Sequence, residues 1–387
     1  MTNSGAGGHG TVSSAAGGIG IQSLAVRYPN TLRCNEYLQE PDPGLVQKVE
    51  CQQVRWLLPQ QDVRPNLDSY EREMAKFAAD PFGGGAERHV LVPGETTLDL
   101  EISAATAALS AAGLEPGDID LVLVSSFLPN QIGLGNAAFL ARELGISAPA
   151  WNIESASSGG LVALQNAAAL IAAGQYETIL VVVSCSYSRV ADEASLLSWI
   201  MSDGAGALVV GRVPEGSGFL GFNLVSTAAL SDTLSVEPII KSDNQIGFQF
   251  KEVAAGAAEA DPTIRDAAGP ALRDCCEGAA RAAGVSITDI DFFLFSTQQA
   301  WFPAFCARIL GVDGSRTVNT FSFYGNVGPA VMTANLYHAA HSGKIRDHDL
   351  VLLLTVGVAS TAGAIVMRWG EVALGPPPAA SSELAYQ

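Results

Sequence analysis

Histidine is scarce in this chain: five in 387 residues, at positions 9, 89, 338, 341 and 348. Positive charge is scarce as well, with 21 Lys+Arg against 39 Asp+Glu and a formal net charge of −18. Nucleic-acid binding needs clustered Lys and Arg facing phosphates, so this balance excludes it and leaves small molecules or a basic protein patch as partners. Charged residues total only 16%, against roughly 25% in an average soluble domain. The 48% of hydrophobic residues excludes bulk disorder. Low charge beside ample apolar surface also points to an oligomer interface. No stretch reaches about 18 uninterrupted apolar residues, so no membrane span is expected. Residues 1–18 lack the basic start and apolar core of a signal peptide. The six cysteines (34, 51, 185, 275, 276 and 306) include no Cys-x-x-Cys pair. That pattern fits reduced thiols in a cytoplasmic protein without a metal site.

What the chain does have is glycine, 40 copies, and short β-type apolar runs separated by alanine-rich helical stretches. Runs such as 121–126, 178–184, 207–211, 292–296 and 350–357 alternate with helical segments including 101–113, 159–173, 266–283 and 328–342. Continuous apolar strands alternating with helices predict an α/β protein whose sheets are covered on both faces. Residues 1–18 and 371–387 are low in complexity and are expected to be disordered tails.

An internal repeat organises the rest. The segment 107–126 resembles 278–297, with Asp118 matching Asp289. Downstream, the spacing from Ser157 to Gly174 equals that from Asn326 to Gly343. The two halves, 19–215 and 216–370, therefore read as one duplicated unit. In a pseudo-twofold arrangement Ser157 and Asn326 occupy equivalent strand-to-helix turns, where α/β folds keep ligands. Taken alone, Ser157 in Glu154-Ser155-Ala156-Ser157-Ser158-Gly159-Gly160 reads equally as an N-cap serine beside glycines. The segment is not Gly-x-Ser-x-Gly, so a hydrolase elbow is not supported.

Four motifs in order carry a family resemblance over roughly residues 19–370: Gly94-Glu95-Thr96-Thr97 with Leu98-Asp99-Leu100, Trp199 to Ala207, Tyr324-Gly325-Asn326, and Leu350 to Arg368. With the duplication, they make the chain resemble the thiolase superfamily, specifically β-ketoacyl-acyl-carrier-protein synthase III (ketosynthase III) and its acyltransferase relatives in natural-product biosynthesis. The resemblance implies the thiolase fold, a five-layer αβαβα sandwich, and a dimer. It also implies coenzyme A or phosphopantetheine thioesters as substrates, donated by acyl-CoA or acyl-carrier protein.

The resemblance places the family's nucleophilic cysteine at Ser157 and its catalytic asparagine at Asn326. A gap-free count from Asp291 puts the family histidine at Ser296; a shifted register puts it at Thr297 or Gln298, and no register supplies a histidine. His338 lies 12 residues past Asn326, about 18 Å along one straight helix. Backbone N–H groups at the Ser157 turn and near Gly357 are expected to form an oxyanion hole. Arg88 is a candidate for the coenzyme at the entrance, or a surface ion pair. Trp301 and Phe302 are candidates for an acyl or pantetheine tunnel, or core. Ile132 belongs to the loop 127–133, which the resemblance places at a dimer interface near the acyl pocket.

Serine is a weaker nucleophile than cysteine and normally needs a base. The sequence is therefore compatible with three activities: acyl transfer through an acyl-serine to a hydroxyl, amine or thiol; a degenerate partner subunit of a ketosynthase-like heterodimer; or an unusual condensing enzyme.

Overall fold

The computed structural model describes residues 9–11, 18–39, 69–77, 80, 82–190, 199–228, 234–240, 246–252, 262–357 and 361–378. Two sheets form the frame. One runs in the order β15-β2-β8-β7-β5-β6, built from β2 (Gly18–Arg27), β5 (Leu121–Phe127), β6 (Ala150–Asn152), β7 (Ile179–Cys185), β8 (Gly204–Val213) and β15 (Ala373–Leu374). The other runs β1-β9-β14-β13-β12, from β1 (His9–Thr11), β9 (Gly218–Ser226), β12 (Phe292–Phe295), β13 (Leu350–Val356) and β14 (Thr361–Arg368). The pairing sense repeats. β5 lies parallel to β7, β7 antiparallel to β8, and β8 antiparallel to β2. In the same way β12 lies parallel to β13, β13 antiparallel to β14, and β14 antiparallel to β9.

Side-chain alternation along the strands sorts residues into layers. In β5, Leu121 and Leu123 face a central core while Val122 and Val124 face an outer one. In β12, Phe292 and Leu294 face the same central core and Phe293 and Phe295 the opposite outer one. The first outer layer contains α1 (Thr97–Ala112) and α2 (Ala137–Leu144); the second contains α4 (Pro262–Ala282) and α5 (Phe302–Leu310). Between the sheets lie α3 (Gly159–Ala172) and α6 (Val331–His341), whose Leu161, Leu164, Val331 and Leu336 are wholly buried. Each fully buried leucine contributes about 1.5–3 kcal/mol of hydrophobic stabilisation. The result is helix, sheet, helix, sheet, helix: the five-layer thiolase sandwich.

Part of the expected C-terminal tail is ordered. Residues 371–378 run along the first sheet, where Ala373 and Leu374 pair with Ser23 and Leu24. Tyr337 Oη donates to Gly375 O at 2.8 Å, and Arg27 Nη1 donates to Pro376 O at 3.0 Å. Low complexity concealed these pairings because they are made by backbone groups. At the other end, His9–Thr11 pairs with β9; residues 1–8, 12–17 and 379–387 lie outside the described residues.

α1 begins at a capping box, in which Thr96 Oγ1 accepts from Asp99 N and Asp99 accepts from Thr96 N. One turn further on it carries Glu101 wholly buried. The Glu101 carboxylate accepts from Ser184 Oγ and from Asn136 Nδ2 at 2.9 Å. Burial nevertheless dominates and pushes its pKa up to about 7. The unfolded chain ionises this group near pH 4.5 while the folded chain keeps it protonated to about pH 7, so stability falls as pH rises between those values. Glu101→Gln removes that slope. Its stability advantage over the unaltered chain is expected to grow by roughly 1 kcal/mol per pH unit from pH 5 to 7 and then level off, as read by urea unfolding at each pH.

Candidate active site

The site lies where α3 and α6 begin, between the carboxyl ends of β5, β7 and β13. Ser157 sits in a single 3-10 turn, Ala156–Ser158, that feeds α3. Its predecessor Ala156 has φ +46, a left-handed value that costs a non-glycine residue about 1–3 kcal/mol. Glu154 supports the turn by accepting the Ala156 N–H at 2.8 Å. Ser158 turns inward, donating to Ser155 O at 2.8 Å. Ser157 is left half-buried. Its N–H, second in the turn, has no intrahelical acceptor.

Asn326 approaches from the other half. Its backbone is bracketed by a crossing segment: Asn326 N donates to Ile200 O at 2.7 Å, and Ser202 N donates to Asn326 O at 2.9 Å. That segment is fastened in turn by Asp203, which accepts from Leu91 N at 2.7 Å and Ser188 N at 2.9 Å. The run Trp199–Ala207 thus acts as a structural brace for Asn326. Asn326 Oδ1 accepts from Gly328 N at 2.9 Å, so Nδ2 is the half of the amide left to donate to a ligand.

Tyr187, which sequence reasoning passed over, lies buried beside the Asn326–Gly328 turn. A Cβ on Gly328, whose φ is +53, would come within 2.8 Å of the Tyr187 oxygen, so glycine is required there by space as well as by conformation. Gly160 makes the corresponding close approach on α3, facing Pro329 O and Met332. Ser157, Tyr187 and the Asn326–Gly328 turn therefore share one locus.

The other expected site residues fall differently. Ser296 is 1% exposed at the end of β12, and its hydroxyl meets no polar partner. Its repeat mate, at the spacing that pairs Asp118 with Asp289, is Ser125, whose hydroxyl is also buried without a partner, against Gly159. Ser296 is a strand-end core residue. Thr297 is tied to Thr320 and Asn335, both at 3.1 Å. Gln298 is the half-buried one, and its Nε2 donates to Val356 O at 2.6 Å, beside the Gly357 turn. Of the three registers, only Gln298 reaches this turn.

Gly357 packs against Ser158 Oγ and Ser155 O, but its N–H donates to Thr361 O at 2.9 Å and is already committed. It is a packing glycine; residues 358–360 lie outside the described residues. Trp301 belongs to the outer core, edge-on to Phe302 and Phe305 with ring centroids 5.6 and 5.9 Å away, and Phe302 is partly buried against the same cluster. They pack behind the sheet, with α4. Ile132 is 53% exposed, near Leu134 at 73% and Trp151 at 38%. This apolar surface flanks the edge strand β6, where Asn152 Nδ2 donates to Leu134 O at 2.8 Å.

Arg88 is 1% exposed and internal. Its guanidinium donates to Trp199 O and Asn35 Oδ1 and lies 5.3 Å from the centroid of the Phe82 ring. Burial lowers its pKa to about 10.

Known proteins match this arrangement. A family profile described as 3-oxoacyl-[acyl-carrier-protein (ACP)] synthase III fits residues 151–228, and the C-terminal profile of the same synthase fits residues 280–369. Beta-ketoacyl-[acyl-carrier-protein] synthase III of Brucella suis is 31% identical over 294 residues, spanning 74% of this chain and 88% of that protein. Among solved structures, synthase III from Thermus thermophilus superposes with TM-score 0.71 at 24% identity, covering 91% of this chain and 99% of that one. The priming β-ketosynthase of the R1128 polyketide pathway gives 0.70 at 20% identity, covering 93% and 97%. A cysteine-to-serine variant of Xanthomonas campestris OleA with bound lauric acid and lauroyl-CoA gives 0.70 at 17% identity, covering 91% and 99%.

Because Arg88 is an internal strut and not a ligand contact, Arg88→Ala is expected to lower folding stability by about 3 kcal/mol. The loss should be read as a lower urea midpoint, with the slope of the unfolding transition unchanged. A variant with an unchanged midpoint would reverse the assignment.

Proposed function

The chain belongs to the 3-oxoacyl-[acyl-carrier-protein] synthase III family of the thiolase superfamily, and from that membership we propose that it is an acyltransferase working through an acyl-serine. The donor is an acyl-CoA or acyl-carrier-protein thioester and the acceptor a hydroxyl, amine or thiol. The observation that carries this reading is the pairing of a half-exposed Ser157 at a helix start with Asn326 and Gln298, two amides, where a condensing site of this family would use an imidazole with the asparagine.

Acyl transfer through Ser157 asks little of the second half of the site. The thioester carbonyl carbon is attacked by Oγ, the C–S bond breaks, and the serine proton leaves with the thiol. The free Ser157 N–H and the field at the start of α3 stabilise the oxyanion, and Asn326 Nδ2 is a further donor. An incoming amine, hydroxyl or thiol then takes the acyl group and returns its proton to Oγ. Decarboxylative carbon–carbon bond formation is more demanding, since its enolate needs two donors. Gln298 cannot titrate, and its Nε2 already serves Val356 O. Losing one such donor costs about 2.7–4 kcal/mol, which argues against condensation as the main activity.

A cytoplasmic homodimer fits the apolar surface beside β6, and sedimentation as a dimer at micromolar concentration is the expected state. The substrate's coenzyme or phosphopantetheine arm is consumed as thioester and needs no resident cofactor.

Incubation with acyl-CoA thioesters from acetyl to lauroyl, or with acyl-carrier protein, is expected to add one acyl mass, mapped to Ser157 and abolished by Ser157→Ala. Asn326→Ala should lower transfer roughly tenfold or more; unchanged turnover would remove Asn326 from the mechanism. Failure of every donor, with tight co-purification of a related subunit, would instead establish a non-catalytic partner.

A further inference from the structure

One of the five histidines lies directly behind Asn326. His89 is 3% exposed and sits on β4 (Glu87–Val90), which pairs with β3 (Thr31–Cys34). Its main chain is stitched to the crossing segment. His89 N donates to Ser202 Oγ at 2.7 Å, Ser202 Oγ donates back to His89 O at 3.0 Å, and Asp203 N donates to His89 O at 2.8 Å. Ser202 N is the group that holds Asn326 O, at 2.9 Å. The His89 ring reaches the same loop by a second route. The imidazole packs on Tyr28 with centroids 4.9 Å apart, and Tyr28 stacks on Tyr324 at 4.3 Å with the planes 8° apart. Tyr324 is two residues before Asn326. One residue thus supports the Asn326 loop through both its backbone and its side chain.

Geometry also fixes the proton on the ring. Nδ1 lies 2.8 Å from Pro29 O, and a carbonyl only accepts, so Nδ1 carries the hydrogen and Nε2 a lone pair. Nε2 is buried and meets no hydrogen-bond partner among the described residues. The surrounding groups are otherwise engaged. Tyr28 and Tyr324 are phenols that burial keeps protonated. The Asp203 carboxylate accepts from Leu91 N, Ser188 N and Ser188 Oγ, and Cys185 Sγ donates to Ser202 O. On β3 it is Leu32 that pairs with His89, with Arg33 opposite Arg88; the Arg88 guanidinium turns to Trp199 O and Asn35. Burial is the largest influence on the imidazole. It outweighs the Pro29 hydrogen bond and the attraction of Glu87 on the same strand, and holds the pKa below the ordinary 6.5.

We infer that His89 is the positioning residue of Asn326, supporting it from both sides only while the imidazole is neutral. A solvent proton on Nε2 makes a buried cation whose new N–H has no acceptor, so the ring must leave the Tyr28–Tyr324 stack or open it to water. Either movement carries Tyr324 and Asn326 out of line. The transfer chemistry is untouched; what changes is the aim of the Nδ2 donor. The inference rests on the acyl-serine reading where turnover is the readout, and stands apart from it where Asn326 itself is observed.

The test uses the full chain with isotope-labelled asparagine. The Asn326 side-chain amide resonance, assigned by its loss in Asn326→Ala, is expected to shift with a midpoint below pH 6.5. It should stay fixed in His89→Phe, which keeps a ring against Tyr28 but cannot titrate. With whichever acyl-CoA of the acetyl-to-lauroyl series labels Ser157 most completely, acyl-serine formation should fall in acid with the same midpoint, and His89→Phe should lack that fall. At about pH 8, His89→Ala should slow formation by roughly tenfold or more, with the half-saturating donor concentration within about twofold. In an Asn326→Ala background the same change should cost less than about threefold, because its effect passes through Asn326. Equal losses in both backgrounds, or an acid shift that persists in His89→Phe, would overturn the inference. Should His89→Ala fail to fold, the pH profiles of the unaltered chain and His89→Phe decide alone. If no donor acylates the unaltered chain, the acyl-serine reading falls and the resonance decides the role of His89. If acylation proceeds and the resonance ignores pH, only this inference falls.

Discussion

The close approach of two helix starts is the constraint on which the site depends. α3 and α6 come from opposite halves of a duplicated chain and meet in the central layer at their amino ends. They can do so only because those ends are made of glycine and small residues. A Cβ at Gly159 would fall 1.9 Å from Ser125 Oγ, and one at Gly160 would crowd Val183, Met332 and Pro329 O. The same approach that lets the sandwich close sets two helix N-termini around one small volume. Structural economy and anion stabilisation are therefore one arrangement.

Within that arrangement the chemistry is defined by replacement. A serine occupies the nucleophile's turn, and amides occupy the second half. Amides cannot shuttle protons, but they can hold a carbonyl and an acceptor in place. A site so composed suits a reaction whose proton is supplied and removed by its own substrates. The strained backbone at Ala156 and Leu128, with φ of 46 and 62, flanks this volume on both sides; such conformations persist only where surrounding packing over-determines them.

Much of this was legible in the sequence because it is local or repeated. The apolar strand runs, the repeat that pairs Asp118 with Asp289 and the equal spacing after Ser157 and Asn326 all stand without knowledge of the fold. What stayed hidden depended on contacts between distant segments. Arg88 looked like a surface cation because nothing near it in sequence shows that Asn35 and Trp199 enclose it. Tyr187 precedes Gly328 by well over a hundred residues, and only the fold brings its hydroxyl beside that turn. Counting along β12 pointed to Ser296, yet strand alternation directs that side chain into the core, as it does Ser125. Whether the Gly357 N–H was free depended on Thr361 O, which accepts it.

The strand at Ala373–Leu374 joins the edge of a sheet whose other members all come from residues 18–213. It lies some 350 residues from its partner in β2. During synthesis the first half therefore emerges with one sheet edge open and cannot cover it until nearly the whole chain has left the ribosome. Exposed strand edges invite pairing with other chains. The duplicated halves are thus not two independent folding units. Ala373 and Leu374 close a sheet edge opened by β2, which ties the folding of the first half to that of the second.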